Sequence, residues 1–222
     1  MEMLYPALAV VAAYLIGSLS FAVIVSRAMG LSDPRTYGSG NPGATNVLRS
    51  GNKKAAVLTL VLDALKGLVP VVLVRSIGDR FGLGEGTLAL VALAAFLGHV
   101  WPVYFGFEGG KGVATAAGVL LGLNLVLGVA TLLVWLAVAY LTRYSSLAAL
   151  MAALAAPLIQ FLVWGASPVA AAITAMSLIL VWRHSANIGK LMAGTESKIG
   201  QKSAAAAPVA KPAASHRHGK GA

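Results

Sequence analysis

Three polar, glycine-rich segments of this sequence contain residue types that suit the binding of phosphate groups. The first, YGSGNPGATNVLR at 37–49, places Gly38, Gly40 and Gly43 in a G-x-G-x-x-G pattern. That pattern marks dinucleotide binding when a strand precedes it in a βαβ unit. Here a long apolar run precedes it, which argues against a dinucleotide fold.

The composition of this first segment nevertheless predicts an anion site. Glycines let backbone N–H groups turn toward an anion. The guanidinium group of Arg49 can donate a bidentate pair of hydrogen bonds to a phosphate. Neutral donors are supplied by Ser39, Asn41, Thr45 and Asn46. The alternative is a capped loop that only begins the next helix.

The second segment, GHVWPVYFGFEGGKGVAT at 98–115, predicts another anion site. Its glycines and its cation stand directly before an apolar run: Gly109, Gly110, Lys111 and Gly112. Backbone amides and the helix dipole favour an anion at such a helix start. The segment is not a Walker A loop, because Phe105 and Gly112 stand where that motif requires Gly and Ser or Thr. ATP hydrolysis is therefore not indicated.

The third segment, WRHSANIGKLMAGTESK at 182–198, begins where the last apolar run ends. His184 and Asn187 are three residues apart, so they share a face if the helix continues through them. A single histidine near a membrane interface is more often structural than catalytic. An H-x-x-x-x-D pair, in which a histidine and a carboxylate act together as a base, is missing, since Tyr104 and Gly189 stand five residues after His99 and His184. The sequence therefore identifies no general base.

The elements that position these segments are apolar. Of 222 residues, 58% are hydrophobic and 11% are charged, against about 45–50% and about 25% in soluble domains. We therefore predict an all-α, polytopic integral membrane protein. Its apolar runs are 4–25, 55–74, 88–97, 113–141, 146–164 and 169–182. Because the chain has no cysteine, thiolate chemistry and disulfides are excluded.

The distribution of charge indicates how the chain crosses the membrane. The run 113–141 would form a helix of roughly 44 Å, longer than the ~30 Å hydrocarbon core, so a pair of helices turning near 122–124 or at Gly128 is the alternative. If 113–141 forms a pair of helices, most cations of the loops lie on one side of the membrane, and only Arg75 and Arg80 lie on the other. The positive-inside rule then favours about seven helices, with the N-terminus outside and the C-terminus in the cytoplasm.

Two further features of the sequence bear on the fold. Asp63 and Lys66 lie inside an apolar run, where ionisable residues are costly; they are either functional or a pair that neutralises itself near the interface. Beyond the membrane-embedded region, 1–198, the residues 199–222 are rich in Ala, Lys and Pro, which predicts a disordered tail.

Three motifs resemble those of the acyl-phosphate-dependent glycerol-3-phosphate acyltransferases, the PlsY family. They are SGNPGATNVLR, GHVWPVYFGFEGGKGVAT and HSANIGKLMAGTESK, in that order. The resemblance implies a seven-helix fold, acyl phosphate as donor, glycerol 3-phosphate as acceptor and 1-acyl-glycerol 3-phosphate as product.

The resemblance also implies roles for individual residues. Those expected to hold the acyl-phosphate headgroup are Ser39, Gly40, Asn41, Gly110, Lys111 and Gly112. Those expected to bind the acceptor are Thr45, Arg49, His184 and Asn187, with Ser145 or Ser146 beside Arg143. Gly43, Asn46 and Gly109 complete the expected substrate-binding set. Of these, Ser39, Arg49, Lys111, His184 and Asn187 are the expected catalytic residues.

The same resemblance sets expectations for partners and location. We expect no cofactor, no metal and no nucleic acid; membrane lipids and an enzyme that supplies acyl phosphate are the expected partners. The expected location is the bacterial inner membrane, with the active site at the cytoplasmic face. A transporter for a phosphorylated metabolite and a scaffold for lipid enzymes are the alternatives. Transporters usually bind near the bilayer midplane, often between repeated halves, whereas these donors cluster at one face and we find no internal repeat.

Overall fold

The computed structural model describes residues 4–201, and its regular secondary structure in that range is helical, as predicted. The helices are α1 Leu4–Gly17, α2 Phe21–Ala28, α3 Ala44–Leu48, α4 Lys53–Ile77, α5 Glu85–Val100, α6 Val113–Leu123, α7 Leu125–Thr142, α8 Ser145–Trp164, α9 Pro168–Arg183 and α10 Ser185–Met192. Ile199, the first residue of the predicted tail, donates its N–H to the carbonyl of Arg143 at 2.7 Å. From residue 202 onward, the predicted tail lies outside the described residues.

Four segments of the described chain are long and apolar enough to cross a membrane. They are Lys53–Phe81, Glu85–Phe105, Leu125–Thr142 and Ser145–Trp164. Two bent pairs, α1 with α2 and α9 with α10, bring the number to six if each pair is one span. Helix α6 has 11 residues, about 16 Å of helix, or about half of the hydrocarbon core. The predicted number of about seven therefore depends on α6, which is not a full-length span.

The predicted first helix, 4–25, is broken in the structure. Helix α1 ends at Gly17, α2 begins at Phe21, and their axes differ by 44°. The break leaves the carbonyl of Leu19 outside a helix, where it accepts a hydrogen bond from the Lys66 ammonium at 2.6 Å. A free carbonyl at membrane depth would be costly. The sequence prediction of one continuous helix was wrong because this donor comes from another helix.

The run 113–141 forms the predicted alternative, a pair of helices. They meet at Asn124, whose side-chain oxygen accepts the amide N–H groups of Val126 and Leu127 at 2.9 and 3.2 Å. Arg75 lies in α4 rather than in the predicted loop. Its guanidinium donates to the carbonyls of Gly122 and Leu123 at 3.2 and 3.1 Å. The amide groups freed at this turn are thus satisfied from within the protein.

Glycines allow the helices to approach each other closely. Gly118 of α6 packs on the backbone of Ala64 in α4, and Gly98 of α5 packs on the backbone of Tyr14 in α1. At both positions an added Cβ would overlap a backbone oxygen. Such contacts are typical of membrane helices, whose association depends on van der Waals packing rather than on the hydrophobic effect.

The distribution of polarity is inverted with respect to a soluble protein. Large apolar side chains face outward, among them Leu162, which is 85% exposed. Ionisable residues lie inside, with Asp63 2% and Lys66 3% exposed. Their buried positions, 2.8 Å apart, favour a paired arrangement within the protein rather than at the interface.

Replacement of Gly118 by alanine should destabilise the helix packing. A methyl group there meets backbone atoms of α4, and overpacking of this kind costs about 1–3 kcal/mol. We expect Gly118→Ala to lower the thermal unfolding temperature in detergent. Gly86→Ala is the matched control, since a Cβ at Gly86 has no neighbour within 4 Å. Equal unfolding temperatures of the two variants would contradict the packing argument.

Candidate active site

Side-chain contacts bring the three sequence segments together at one end of the helix bundle. The Lys111 ammonium of the second segment donates to the side-chain oxygen of Asn187 in the third. Arg49 of the first segment donates to the hydroxyl of Ser197 at 2.5 Å. The Thr45 and Ser145 hydroxyls share a hydrogen bond of 3.3 Å, which adds the start of α8.

A carboxylate completes this cluster. Glu196 Oε1 accepts hydrogen bonds from Ser146 Oγ and from Asn187 Nδ2, both at 2.7 Å. Asn187 is thereby held from two sides, by Lys111 at its oxygen and by Glu196 at its nitrogen. The orientation of this amide is therefore fixed by the charges of its two partners.

The part of the first segment that precedes α3, residues 37–43, forms a loop, called the first loop. Asn46 lies beneath this loop and is 2% exposed. Its Nδ2 donates to the carbonyls of Pro34 and Tyr37 at 2.6 and 3.1 Å. Its Oδ1 accepts from the Ser39 N–H at 3.0 Å. We predicted Asn46 as a substrate donor; both ends of its side chain are bonded within the loop, which favours a structural role.

The glycines of the first loop shape its turns. Gly38 and Gly40 have φ values of +62° and +68°, which favour glycine over any residue with a Cβ. The Gly40 and Gly43 amides donate to the carbonyls of Tyr37 and Asn41 at 3.0 and 2.9 Å. The predicted use of these amides for an anion is therefore not what the structure presents. The loop contributes Gly38, Ser39, Gly40 and Asn41 to the walls of the clefts.

The second loop, residues 101–112, connects α5 to α6, and its glycines allow it to pack against the end of α5. A Cβ at Gly109 would overlap the carbonyls of His99 and Val100, and one at Gly110 would overlap the His99 ring. Gly112, with φ +87°, packs on the ring of Phe96. Gly110 and Gly112 were predicted to hold a substrate headgroup, but neither lines the two clefts described below. Their positions favour a packing role. Lys111, which lies between them, lines the second cleft.

The third segment does not continue as one helix, so the predicted shared face is not formed. The chain bends by 56° between α9 and α10 at His184. His184 is buried, and its Nδ1 donates to the carbonyl of Leu180 at 2.8 Å. Asn187 lies one turn further on, beyond the bend, where it reaches Lys111.

Two adjoining clefts open among these residues. The first has a volume of about 510 Å³ and is lined by Gly38, Ser39, Arg49, Asn187, Lys190, Gly194, Thr195, Glu196, Ser197 and Gln201. The second has a volume of about 300 Å³ and is lined by Ser39, Gly40, Asn41, Gly109, Lys111, Arg183, Ala186, Asn187 and Lys190. Ser39, Asn187 and Lys190 belong to both walls.

Several predicted residues lie beside these clefts rather than in their walls. They are Gly43, Thr45, Arg143, Ser145 and His184. Gly43 precedes the short helix α3. Arg143 has φ +63° and donates to the carbonyl of Ile199 at 3.2 Å, so it fixes the chain that follows Glu196.

Arg183, Glu196 and Ser197 also line the clefts, although the sequence motifs did not predict them as site residues. Arg183 lines the second cleft and donates to the Gly109 carbonyl at 2.9 Å. Its position next to His184 was the one available signal. Glu196 and Ser197 follow a polar stretch without periodicity, so nothing in the sequence indicated that the chain turns back onto Arg49.

The site is strongly cationic. Arg49, Lys111, Arg183 and Lys190 line the clefts, and within the described range 4–201 Glu196 is the one carboxylate in their walls. Burial lowers the pKa of Lys111 to about 8; nearby Glu196 acts in the opposite direction, and Lys190, Arg183 and Arg49 lower it further. An anion bound here would stabilise the charged form of Lys111 and would be held by several cations at once.

Comparisons with known proteins agree on one family. The profile described as glycerol-3-phosphate acyltransferase matches residues 7–194. A glycerol-3-phosphate acyltransferase of Paraburkholderia phymatum is 63% identical over 94% of this chain and 97% of its own length. That of Paraburkholderia phytofirmans is 65% identical over 91% of this chain and 94% of its own length.

Two solved structures are similar to this chain. One is PlsY (YgiH), an integral membrane glycerol 3-phosphate acyltransferase, in its glycerol 3-phosphate form; it is 38% identical, has a TM-score of 0.82, and the match covers 88% of this chain and 96% of that one. The lysophosphatidic acid form is 37% identical, with a TM-score of 0.80 and coverage of 87% and 95%.

Phosphate binding should weaken as the pH rises through the pKa of Lys111. The ammonium is charged below about pH 8 and loses its proton above it, and a charge-assisted hydrogen bond contributes about 1.5–3 kcal/mol. We expect the affinity for inorganic phosphate, measured by calorimetry from pH 7.5 to 10, to fall about tenfold or more.

Two variants separate Lys111 from its neighbours. Lys111→Arg keeps its charge across this range, so its phosphate affinity should change little with pH. Lys190→Arg, in the walls of the same clefts, should retain the fall seen in the native protein. The assignment fails if Lys111→Arg and the native protein show the same pH profile.

Proposed function

The chain belongs to the glycerol-3-phosphate acyltransferase family, and we propose that it uses acyl phosphate as its acyl donor and releases 1-acyl-glycerol 3-phosphate. The observation that carries the proposal is the pair of adjoining cationic clefts that share Ser39 and Asn187. A reaction between two phosphorylated substrates requires two anion sites with their reacting groups in contact. The shared wall provides such a meeting point.

The residues of the two clefts suggest which substrate each one takes. The second cleft contains Lys111 and Arg183, and we assign it to the acyl-phosphate headgroup. The first contains Arg49 and the segment 194–197, and we assign it to glycerol 3-phosphate. Support for the acceptor and the product comes from the relative whose structures are described as glycerol 3-phosphate and lysophosphatidic acid forms.

The proposed reaction needs no covalent enzyme intermediate, because acyl phosphate is already an activated mixed anhydride. The glycerol hydroxyl oxygen forms a bond to the acyl carbonyl carbon, the anhydride C–O bond breaks, and inorganic phosphate leaves. The hydroxyl proton passes to a substrate phosphate oxygen. The protein contributes positioning and electrostatic stabilisation, which account for much of the rate enhancement in many enzymes.

The surroundings of His99 and His184, the histidines within residues 4–201, are consistent with this choice of base. His184 uses Nδ1 for the Leu180 carbonyl and lines neither cleft. His99 lies below the second loop and is 7% exposed. The cations Lys111 and Arg183 instead suit the stabilisation of charge on the departing phosphate.

The membrane arrangement follows from the same proposal. We place the clefts at the cytoplasmic face of the bacterial inner membrane, with about seven helices, the N-terminus outside and the C-terminus inside. The three segments that form the clefts carry five basic residues, Arg49, Lys111, Arg183, Lys190 and Lys198, whereas the turn that follows α4 balances Arg80 with Asp79. This asymmetry is the one that the positive-inside rule describes.

Purified protein should convert acyl phosphate and glycerol 3-phosphate to lysophosphatidate. Lys111→Ala removes the ammonium that reaches the second cleft, so we expect turnover to fall at least about 100-fold, with the unfolding temperature unchanged. Lys53→Ala, an exposed position at the start of α4, is the control and should keep native activity.

Two results would count against the assignment. Full activity of Lys111→Ala would remove Lys111 from the reaction. An acyl-enzyme that is trapped on a side chain and released by hydroxylamine would replace direct transfer with a covalent mechanism.

Cysteine labelling tests the sidedness directly, because the native chain contains no cysteine. Lys54→Cys lies at the cleft end and Arg80→Cys at the opposite end of α4, and both native positions are exposed. A membrane-impermeant maleimide should label Arg80→Cys in intact spheroplasts and Lys54→Cys only after permeabilisation. The reverse pattern, or both positions on one side, would contradict the proposed orientation.

A further inference from the structure

A buried polar network lies directly beneath the second loop and has no part in the chemistry proposed above. It consists of Asp63 and Lys66 of α4, His99 of α5 and Thr115 of α6, which are 2%, 3%, 7% and 0% exposed. Lys66 Nζ lies 2.8 Å from Asp63 Oδ1 and donates to the Leu19 carbonyl between α1 and α2. Three helices and the connection between α1 and α2 therefore meet at these four side chains.

The hydrogen bonds of this network fix the orientation of the His99 ring. Thr115 donates its single hydroxyl proton to the Asp63 carbonyl at 3.0 Å. The Thr115 oxygen lies 3.1 Å from His99 Nδ1, so in that contact the ring must be the donor. The Asp63 carboxylate, 3.7 Å from the same nitrogen, favours this proton position. Nε2 is thus directed away from α6.

On that other side, the His99 ring supports the loop that carries Lys111. A Cβ at Gly110 would overlap His99 Nε2 and would lie 3.0 Å from the Pro42 carbonyl of the first loop. The Gly110 amide also donates to the His99 carbonyl at 3.2 Å. Gly110 is therefore enclosed between the His99 ring and the first loop, one residue before Lys111.

We propose that His99 is a positioning residue, oriented by Thr115 and Asp63, which sets the height of the Gly109–Lys111 backbone so that Lys111 meets Asn187 and the donor phosphate. This inference rests on the proposed function. Ionisable groups are costly at membrane depth, and a buried ion pair can serve to select one arrangement rather than to add stability. Here the selected arrangement is the one in which α4, α5 and α6 hold the ring against Gly110.

Thr115→Val tests the proposal because it keeps the shape of the side chain and removes the acceptor for His99. We expect kcat/KM for acyl phosphate to fall about 10- to 100-fold, since a displacement of about 1 Å can cost about 100-fold. The KM for glycerol 3-phosphate should change little, because Arg49 and 194–197 are attached to other elements. Thr131→Val is the matched control, a buried threonine of α7 whose hydroxyl has no hydrogen-bond partner.

Replacement of His99 itself provides a second comparison. His99→Asn retains an N–H at the place of Nδ1 but lacks the ring edge that contacts Gly110, and His99→Phe keeps a ring without a donor, so both variants should lose activity like Thr115→Val. This pair remains decisive if Thr115→Val does not fold. The proposal is overturned if Thr115→Val matches Thr131→Val in activity, if either His99 variant keeps native activity, or if both substrates are affected equally.

Failure of the proposed function gives a different result. In that case the native protein forms no lysophosphatidate from acyl phosphate. The affinity of the same variants for inorganic phosphate then still tests positioning, because it depends on where Lys111 lies and not on turnover. Equal phosphate affinity of Thr115→Val and Thr131→Val would overturn the positioning role on its own.

Discussion

The contact between the Lys111 ammonium and the Asn187 side chain is the interaction on which the site depends. It joins the loop between α5 and α6 to the helix beyond the bend at His184. From Asn187 the hydrogen bonds continue through Glu196 to Ser146 at the start of α8. Segments distant in the sequence thus share one polar chain, and the clefts lie on both sides of it. This polar chain begins with a cation, Lys111, which lines the cleft that we assign to the donor phosphate.

The lipid surroundings explain why the helices break where they do. Each break releases backbone groups that cannot turn to water. The carbonyl of Leu19 is satisfied by Lys66, those of Gly122 and Leu123 by Arg75, and the first amides of α7 by Asn124. Breaks therefore occur where another part of the protein supplies a donor or an acceptor, and the same side chains that satisfy them hold neighbouring helices together.

Membership in the acyltransferase family favours an enzyme over the transporter and scaffold alternatives. The physical arrangement agrees with it. The cationic residues Arg49, Lys111, Arg183 and Lys190 line clefts at one end of the bundle, whereas transporters usually bind near the midplane. Chemistry that relies on positioning needs such a crowded set of donors more than it needs a strong base. His184 lines neither cleft, which is consistent with that requirement.

The sequence by itself determined the helical class, the membrane location and the three segments that form the site, because composition and motif are local properties of the chain. The length of the run 113–141 and the distribution of cations around it also favoured a pair of helices over one long helix. Only the tertiary structure decided which residues of those segments face the cavity. Asn46 supports its loop, Gly110 and Gly112 fit against α5, and Arg183 and Glu196 enter the site. The break after Gly17 was equally hidden, because its compensating donor, Lys66, lies in another helix. Hydrogen-bond partners distant in the sequence leave no periodic signal, and so their pairing becomes visible only in the folded protein.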